Sequence, residues 1–273
     1  MSLELIATDV DGTILPRGGR ISERTKAVVR TCEARNIPFV VTTGRWYVAA
    51  KTITDVLGQK DGYIIISGGG AVVRMDGTVL KSWTLKDDDA RRIYERAKRE
   101  NVMINSFVGD AVYRVNTAAI RRPVKGLGDY LGGRYHMVND DPELFEEKGF
   151  CSPYKLEMYG EDREVLHALA RDMEAMGYAV ASAYGNSMEV MTAGAGKGTA
   201  LRWLTDHLGI RRENCMAFGD NTNDISLLEA VGWPVAVGGA VDELKKIARI
   251  IAPDCADDGA SLVMERALKG EWL

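Results

Sequence analysis

The chain has 273 residues, 46% of them hydrophobic and 27% charged, with 35 Lys and Arg against 39 Asp and Glu for a net charge of -4. That length suits one large domain or two of moderate size, and either can bury a substantial core without a metal or disulfide. No basic block suits nucleic acid, no apolar run approaches the roughly 20 residues that span a membrane, and no obligate protein partner is evident. Small-molecule chemistry is left by elimination.

The four cysteines, Cys32, Cys151, Cys215 and Cys255, form no CxxC pair, and only three histidines could join them in a zinc site. Structural zinc is not expected, and the chain reads as reduced and cytoplasmic. Met1-Ser2-Leu3-Glu4 carries an acid early and lacks the basic start of a secretory leader.

In chain order, Leu3–Val10 reads as a buried strand closed by acid and glycine. Ser22 caps a helix from about Glu23 to Arg35, and Ile37–Thr42 is a second buried strand before Thr43-Gly44-Arg45. A helix over Tyr47–Leu57 stops at Gly58, and Tyr63–Ile66 forms a third strand. Strands that are nearly all apolar, alternating with helices, predict a parallel sheet covered on both faces.

Asp76-Gly77 then turns a hairpin between Ala71–Arg74 and Thr78–Trp83. A helix over Asp87–Glu100, strands at Met103–Phe107 and Ala111–Val115, and a glycine-rich middle follow. After them come a strand at Tyr154–Tyr159, a helix over Asp162–Met176 and a strand at Tyr178–Ala183. This mixed texture predicts an α+β insertion at 84–187, within a core formed by 1–83 and 188–273. The parallel pattern resumes with a helix at Lys197–Leu208, a strand at Cys215–Phe218 and a helix at Asn223–Val231. A strand at Pro234–Val237, a helix at Val241–Ala248, a short strand at Ile250-Ile251 and a last helix over Gly259–Leu268 complete it. The fold class is thus α/β, a Rossmann-like parallel sheet core with an inserted α+β cap domain.

Four polar clusters stand at strand ends or helix starts, where ligands bind in open parallel sheets. Asp9 and Asp11 share a face if the strand persists, and two adjacent carboxylates call for a cation or a proton. The plainer alternative is a surface turn, as Asp76-Gly77 is read. Thr43, Gly44 and Arg45 offer a hydroxyl, backbone N–H groups and a guanidinium suited to phosphate, or simply a helix cap. Lys197 follows Gly194-Ala-Gly196 in a stretch resembling a phosphate-binding P-loop. Met191 in place of the first glycine, and Gly198 in place of Ser or Thr, reject an ATPase. Asp220 and Asp224, four apart near a helix start, could hold a cation or favour the helix dipole.

In this order the clusters resemble the haloacid dehalogenase superfamily, specifically the Cof-type phosphatases with a class IIB α/β cap. Asp9-Val-Asp-Gly-Thr13 matches its first motif, Thr43-Gly-Arg45 the second, Lys197 the third and Gly219-Asp-Asn-Thr-Asn-Asp224 the fourth. The resemblance implies a Mg²⁺-dependent phosphatase acting on a small phosphorylated metabolite, such as a sugar phosphate. Asp9 would be the nucleophile that becomes an aspartyl phosphate, and Asp11 the acid and base. Lys197 would stabilise charge in catalysis and help bind phosphate with Thr43, Gly44, Arg45 and Asn223. The metal set would be Asp9, Asp11 through its carbonyl, and Asp220, oriented by Asp224. A phosphomutase or phosphotransferase using the same intermediate, and a non-catalytic binding protein on the same scaffold, are the alternatives. Members often carry Asn where this chain has Gly69 and Gly239, so no inherited substrate contact is expected there; neither position belongs to the core chemistry.

Overall fold

The computed structural model describes residues 3–100, 102–116, 147–181 and 186–271. The chain begins with β1 (Leu5–Thr8), α1 (Glu23–Ala34), β2 (Phe39–Thr42), α2 (Tyr47–Leu57), β3 (Tyr63–Ile66), β4 (Ala71–Arg74) and β5 (Val79–Ser82). It continues through α3 (Asp87–Ala97), β6 (Met103–Val108), β7 (Ala111–Asn116), β8 (Lys155–Tyr159), α4 (Arg163–Ala175), β9 (Ala179–Ala181) and β10 (Ser187–Met191). The last stretch runs α5 (Lys197–Leu208), β11 (Cys215–Gly219), α6 (Ile225–Leu228), β12 (Trp233–Ala236), α7 (Asp242–Ile247), β13 (Ile250–Ile251) and α8 (Gly259–Leu268). Two compact units result: Met1–Arg45 with Ala50–Lys81 and Gly196–Leu273, and Trp46–Ala49 with Ser82–Ala195.

The first unit is built on an eight-stranded sheet in the order β13-β12-β11-β1-β2-β3-β4-β5. The strands from β13 to β3 pair in parallel, and β4 runs antiparallel to β3. Every residue of β1 and β2 is buried, as a strand covered on both faces requires. Each fully buried Leu, Ile or Val there contributes about 1.5–3 kcal/mol. Helix α1 begins where Ser22 Oγ accepts the Thr25 N–H at 3.1 Å.

Strand β1 pairs with β2 on one side and β11 on the other, with Ile6 opposite both Phe39 and Met216. The chain leaves β1 toward β2 and β3, and later builds β11, β12 and β13 on the opposite flank. The strand order therefore reverses between β1 and β11. A crevice opens beyond the carboxyl ends of strands at such a switch.

The second unit has a five-stranded antiparallel sheet, order β7-β6-β8-β10-β9. Asp162 caps α4 by accepting the N–H groups of Glu164 and Val165. Ile93 of α3 and Leu166, Leu169 and Met173 of α4 join Ile104, Leu156, Met158 and Val190 in its apolar core. Alternation along β8 turns Lys155, Glu157 and Tyr159 the other way. There Glu157 accepts from Asn105 and Tyr159, Asn105 accepts from Arg114, and Lys155 pairs with Glu189.

Strand β10 has no counterpart in the sequence reading. It belongs to the second unit's sheet, so the return to the first unit comes at Gly196 and not near 188. The helix expected over Asn223–Val231 is shorter, because a 3₁₀ turn at Thr222–Asp224 precedes α6. The glycine-rich middle lies outside the described residues. Among the described residues no helix is long and apolar enough to cross a membrane.

A Cβ at Gly198 would lie 1.9 Å from the carbonyl oxygen of Ser226, which is why the residue after Lys197 cannot be the Ser or Thr of a P-loop. Gly198→Ala is expected to destabilise the fold by about 3 kcal/mol or more, read as a lower denaturant midpoint at unchanged slope. Burial pushes the Cys32 and Cys215 thiols up to about 12, whereas Cys151 is exposed. Ellman's reagent should therefore titrate Cys151 in the native protein and reach Cys32 and Cys215 only after unfolding.

Candidate active site

Asp9 follows the last residue of β1, and its N–H donates to the Phe218 carbonyl at 2.9 Å. Its side chain is buried, with Oδ1 accepting from Lys197 Nζ at 2.5 Å. The same ammonium donates to Asp224 Oδ1 at 2.6 Å. Lys197 opens α5 and is 1% exposed, an internal cation between two carboxylates. Burial works against that charge, but Asp224 and Asp9 outweigh it and raise the lysine pKa. Lys197 remains an ammonium.

Asp224 does not share a helix face with Asp220. It closes the 3₁₀ turn, and its Oδ2 folds back to accept the N–H groups of Asp220 at 3.0 Å and Asn221 at 3.1 Å. Both of its oxygens are thereby engaged. Asp220 is held from the other side, where Val241 N–H donates to its carbonyl at 2.9 Å. Thr13 Oγ1 donates to Asp220 Oδ1 at 3.1 Å. Thr13 lies in the first motif, yet its sequence signal, a hydroxyl four residues past Asp9, assigns it no role.

Asp9, Asp220 and Asp224 each offer an oxygen within 4.8 Å of the others. Burial, then Asp224, pushes the Asp220 carboxyl up to about 6. Burial also drives Asp9 well above the usual carboxylate range, reinforced by Asp224 and Asp220 and opposed by Lys197. Three carboxyl groups crowd one ammonium, an arrangement relieved by a bound proton or cation. That donor set fits a small hard divalent cation. A Cβ on Gly12 would lie 2.4 Å from Asp220 Oδ2, so only glycine leaves room for the carboxylate.

Asp11 takes a different direction. β1 ends at Thr8, so the alternation that would put both acids on one face does not continue. Its side chain is half-exposed and outside the three-carboxylate cluster. Arg45 grips it with a fork, Nε to Oδ2 at 2.9 Å and Nη2 to Oδ1 at 2.6 Å. The guanidinium expected on phosphate thus holds a carboxylate.

Thr43 is buried, and its Oγ1 accepts the Arg45 N–H at 3.2 Å, a local turn rather than the cap of α2. Sequence reasoning missed what braces this loop. Gly68 N–H donates to the Thr43 carbonyl at 2.9 Å, and Ser67 N–H to the Arg45 carbonyl at 2.8 Å. Gly44 and Asn223 are both half-buried, in the loop after β2 and in the 3₁₀ turn.

The sequence profile of the haloacid dehalogenase-like hydrolases matches residues 6–264. An HMP-PP phosphatase of Serratia proteamaculans is 30% identical over 248 residues, covering 89% of this chain and 86% of the relative. The 5-amino-6-(5-phospho-D-ribitylamino)uracil phosphatase YwtE of Bacillus subtilis is 25% identical, covering 99% of this chain and all of the relative. The solved structure of a haloacid dehalogenase-like hydrolase from B. subtilis superposes with a TM-score of 0.83 at 26% identity, over 96% of this chain and 99% of that one. The chain belongs to the haloacid dehalogenase-like hydrolase family, as one of its Cof-type phosphatases.

Proposed function

We propose that the chain is a Mg²⁺-dependent phosphatase that hydrolyses a small phosphate monoester, a sugar phosphate or related metabolite, through an aspartyl phosphate on Asp9. The observation that carries this reading is the buried Asp9 carboxylate, oriented by Lys197 beside two more carboxylates at the strand switch. The relatives with phosphorylated metabolites in their names support the substrate class.

An Asp9 oxygen attacks phosphorus in line and forms the acyl phosphate, while the ester P–O bond breaks. Asp11 delivers a proton to the departing alkoxide. It then takes a proton from the water that attacks the same phosphorus, and that step releases inorganic phosphate and restores the Asp9 carboxylate. Two displacements replace one very slow hydrolysis. Arg45, through its fork, fixes where the Asp11 carboxylate stands when it takes a proton from water. Lys197 and the Thr43–Arg45 loop supply positive charge and donors for the transferring group, as phosphoryl transfer demands. Asp9, Asp220 and the carbonyl of Asp11 would hold Mg²⁺, with Asp224 orienting the set through Lys197 and the loop N–H groups. When bound, the cation neutralises charge on the phosphoryl oxygens.

Asp9→Asn should abolish Mg²⁺-dependent phosphate release from sugar phosphates. Its metal-free melting temperature should not fall below that of the unaltered protein, because one charge leaves a crowded carboxylate cluster. Undiminished turnover by that variant would sink the mechanism. Chelation of divalent metal should likewise abolish turnover. Added Mg²⁺ should raise the melting temperature by mass action, and Asp220→Asn should lose that rise. An unchanged thermal response in Asp220→Asn would move the metal elsewhere.

A further inference from the structure

Strand β3 leads into a turn, Ser67–Gly69, whose three residues all have positive φ: 52°, 71° and 99°. Ser67 is the costly member, since an L side chain disfavours this region by about 1–2 kcal/mol. Its hydroxyl, also buried, has no hydrogen-bond partner among the described residues. Strain and an orphaned polar group at one place need a compensating gain. One gain is the pair of N–H groups that brace the Thr43–Arg45 loop.

The second gain lies at Gly69. A Cβ there would fall 2.1 Å from the Gly196 carbonyl carbon, 2.3 Å from its oxygen and 2.4 Å from the Lys197 nitrogen. All three are main-chain atoms, so no side chain can rotate away. Gly239 differs: a Cβ there meets the Asp254 carboxylate at 2.8 Å, a group able to move. Of the two glycines, Gly69 is the one jammed against the peptide that carries Lys197.

We propose that Gly69 is a positioning residue for Lys197: by lacking a side chain, it lets the Gly196–Lys197 peptide seat against the Ser67–Gly69 turn and aims the ammonium at Asp9 and Asp224. The chemical part of the claim rests on the role given to Lys197 above; the geometric part does not. Gly69 is then no lost substrate contact. It acts on the core chemistry from behind the lysine, and in this chain a side chain at position 69 would displace that lysine.

The test compares Gly69→Ala and Gly69→Asn with Gly58→Ala. Gly58 has a similar φ of 81° at the end of α2 but, among the described residues, nothing within 4 Å of its would-be Cβ, so it isolates backbone strain from the close approach. Brief acetic anhydride labelling with peptide mass mapping reports the accessibility of Lys197. Protection is expected in the unaltered protein and in Gly58→Ala, with at least ~10-fold faster labelling in both Gly69 variants. With p-nitrophenyl phosphate and Mg²⁺, kcat should fall at least ~10-fold and KM shift less than ~2-fold. Within a Lys197→Ala background, Gly69→Ala should add no further loss, because both act through one group.

Lys197 labelling in Gly69→Ala that matches the unaltered protein overturns the inference, whatever the activity. So does a Gly69→Ala variant that is unfolded at 25 °C while Gly58→Ala is folded, since the turn would then serve the fold and not the lysine. An unaltered protein without Mg²⁺-dependent turnover would refute the proposed function, and the labelling would still decide the placement of Lys197.

Discussion

The Lys197 ammonium, enclosed between Asp9 and Asp224, is the contact on which the other site geometry depends. It ties the end of β1, the start of α5 and the turn after β11 at a single point. Removing the ammonium from such a buried cluster typically costs about 3–5 kcal/mol, because its two carboxylates are left uncompensated in a low-dielectric interior. Burying the group at all is unfavourable, so its worth lies less in net stability than in fixing positions. Asp224 extends this order outward: one oxygen takes the lysine and the other gathers two loop N–H groups.

Around that point the backbone is packed so tightly that missing side chains matter as much as present ones. Gly12 leaves room for the Asp220 carboxylate, Gly198 lets α5 approach Ser226, and Gly69 meets the peptide of Lys197 itself. A loop positioned by backbone contact has less freedom than one held by side chains alone, which suits groups that must act within a few tenths of an ångström.

Much of this was legible along the chain. Apolar runs ending in Asp9, Thr43 and Gly219-Asp220 announce strand ends, and the observed α5 starts at Lys197 and ends at Leu208 as the pattern predicts. The directions of side chains past those ends were not legible. Alternation would aim Asp9 and Asp11 together, but it holds only while the strand does, and β1 stops at Thr8. Arg45 reads as an anion binder, yet it grips Asp11 across 34 residues of sequence. The partners that bury Lys197 were not legible either, because they lie 188 and 27 residues away. Ser187–Met191 was missed for a related reason. A short strand flanked by small and polar residues declares itself only through neighbours such as Tyr159 and Ala181.

The reversal of strand order at β1 also governs how the chain can be made. Leu5–Thr8 is synthesised first, but one of its two ladder partners, Cys215–Gly219, leaves the ribosome only after the whole second unit. Until then a strand that ends up fully buried has an open edge, the kind of surface that pairs with other chains. Closing it joins residues about 210 apart in sequence, a slow step for any sheet. The same step brings Asp220 and Asp224 to Asp9. The nascent protein therefore gathers its three-carboxylate cluster and seals the open edge of β1 in a single event.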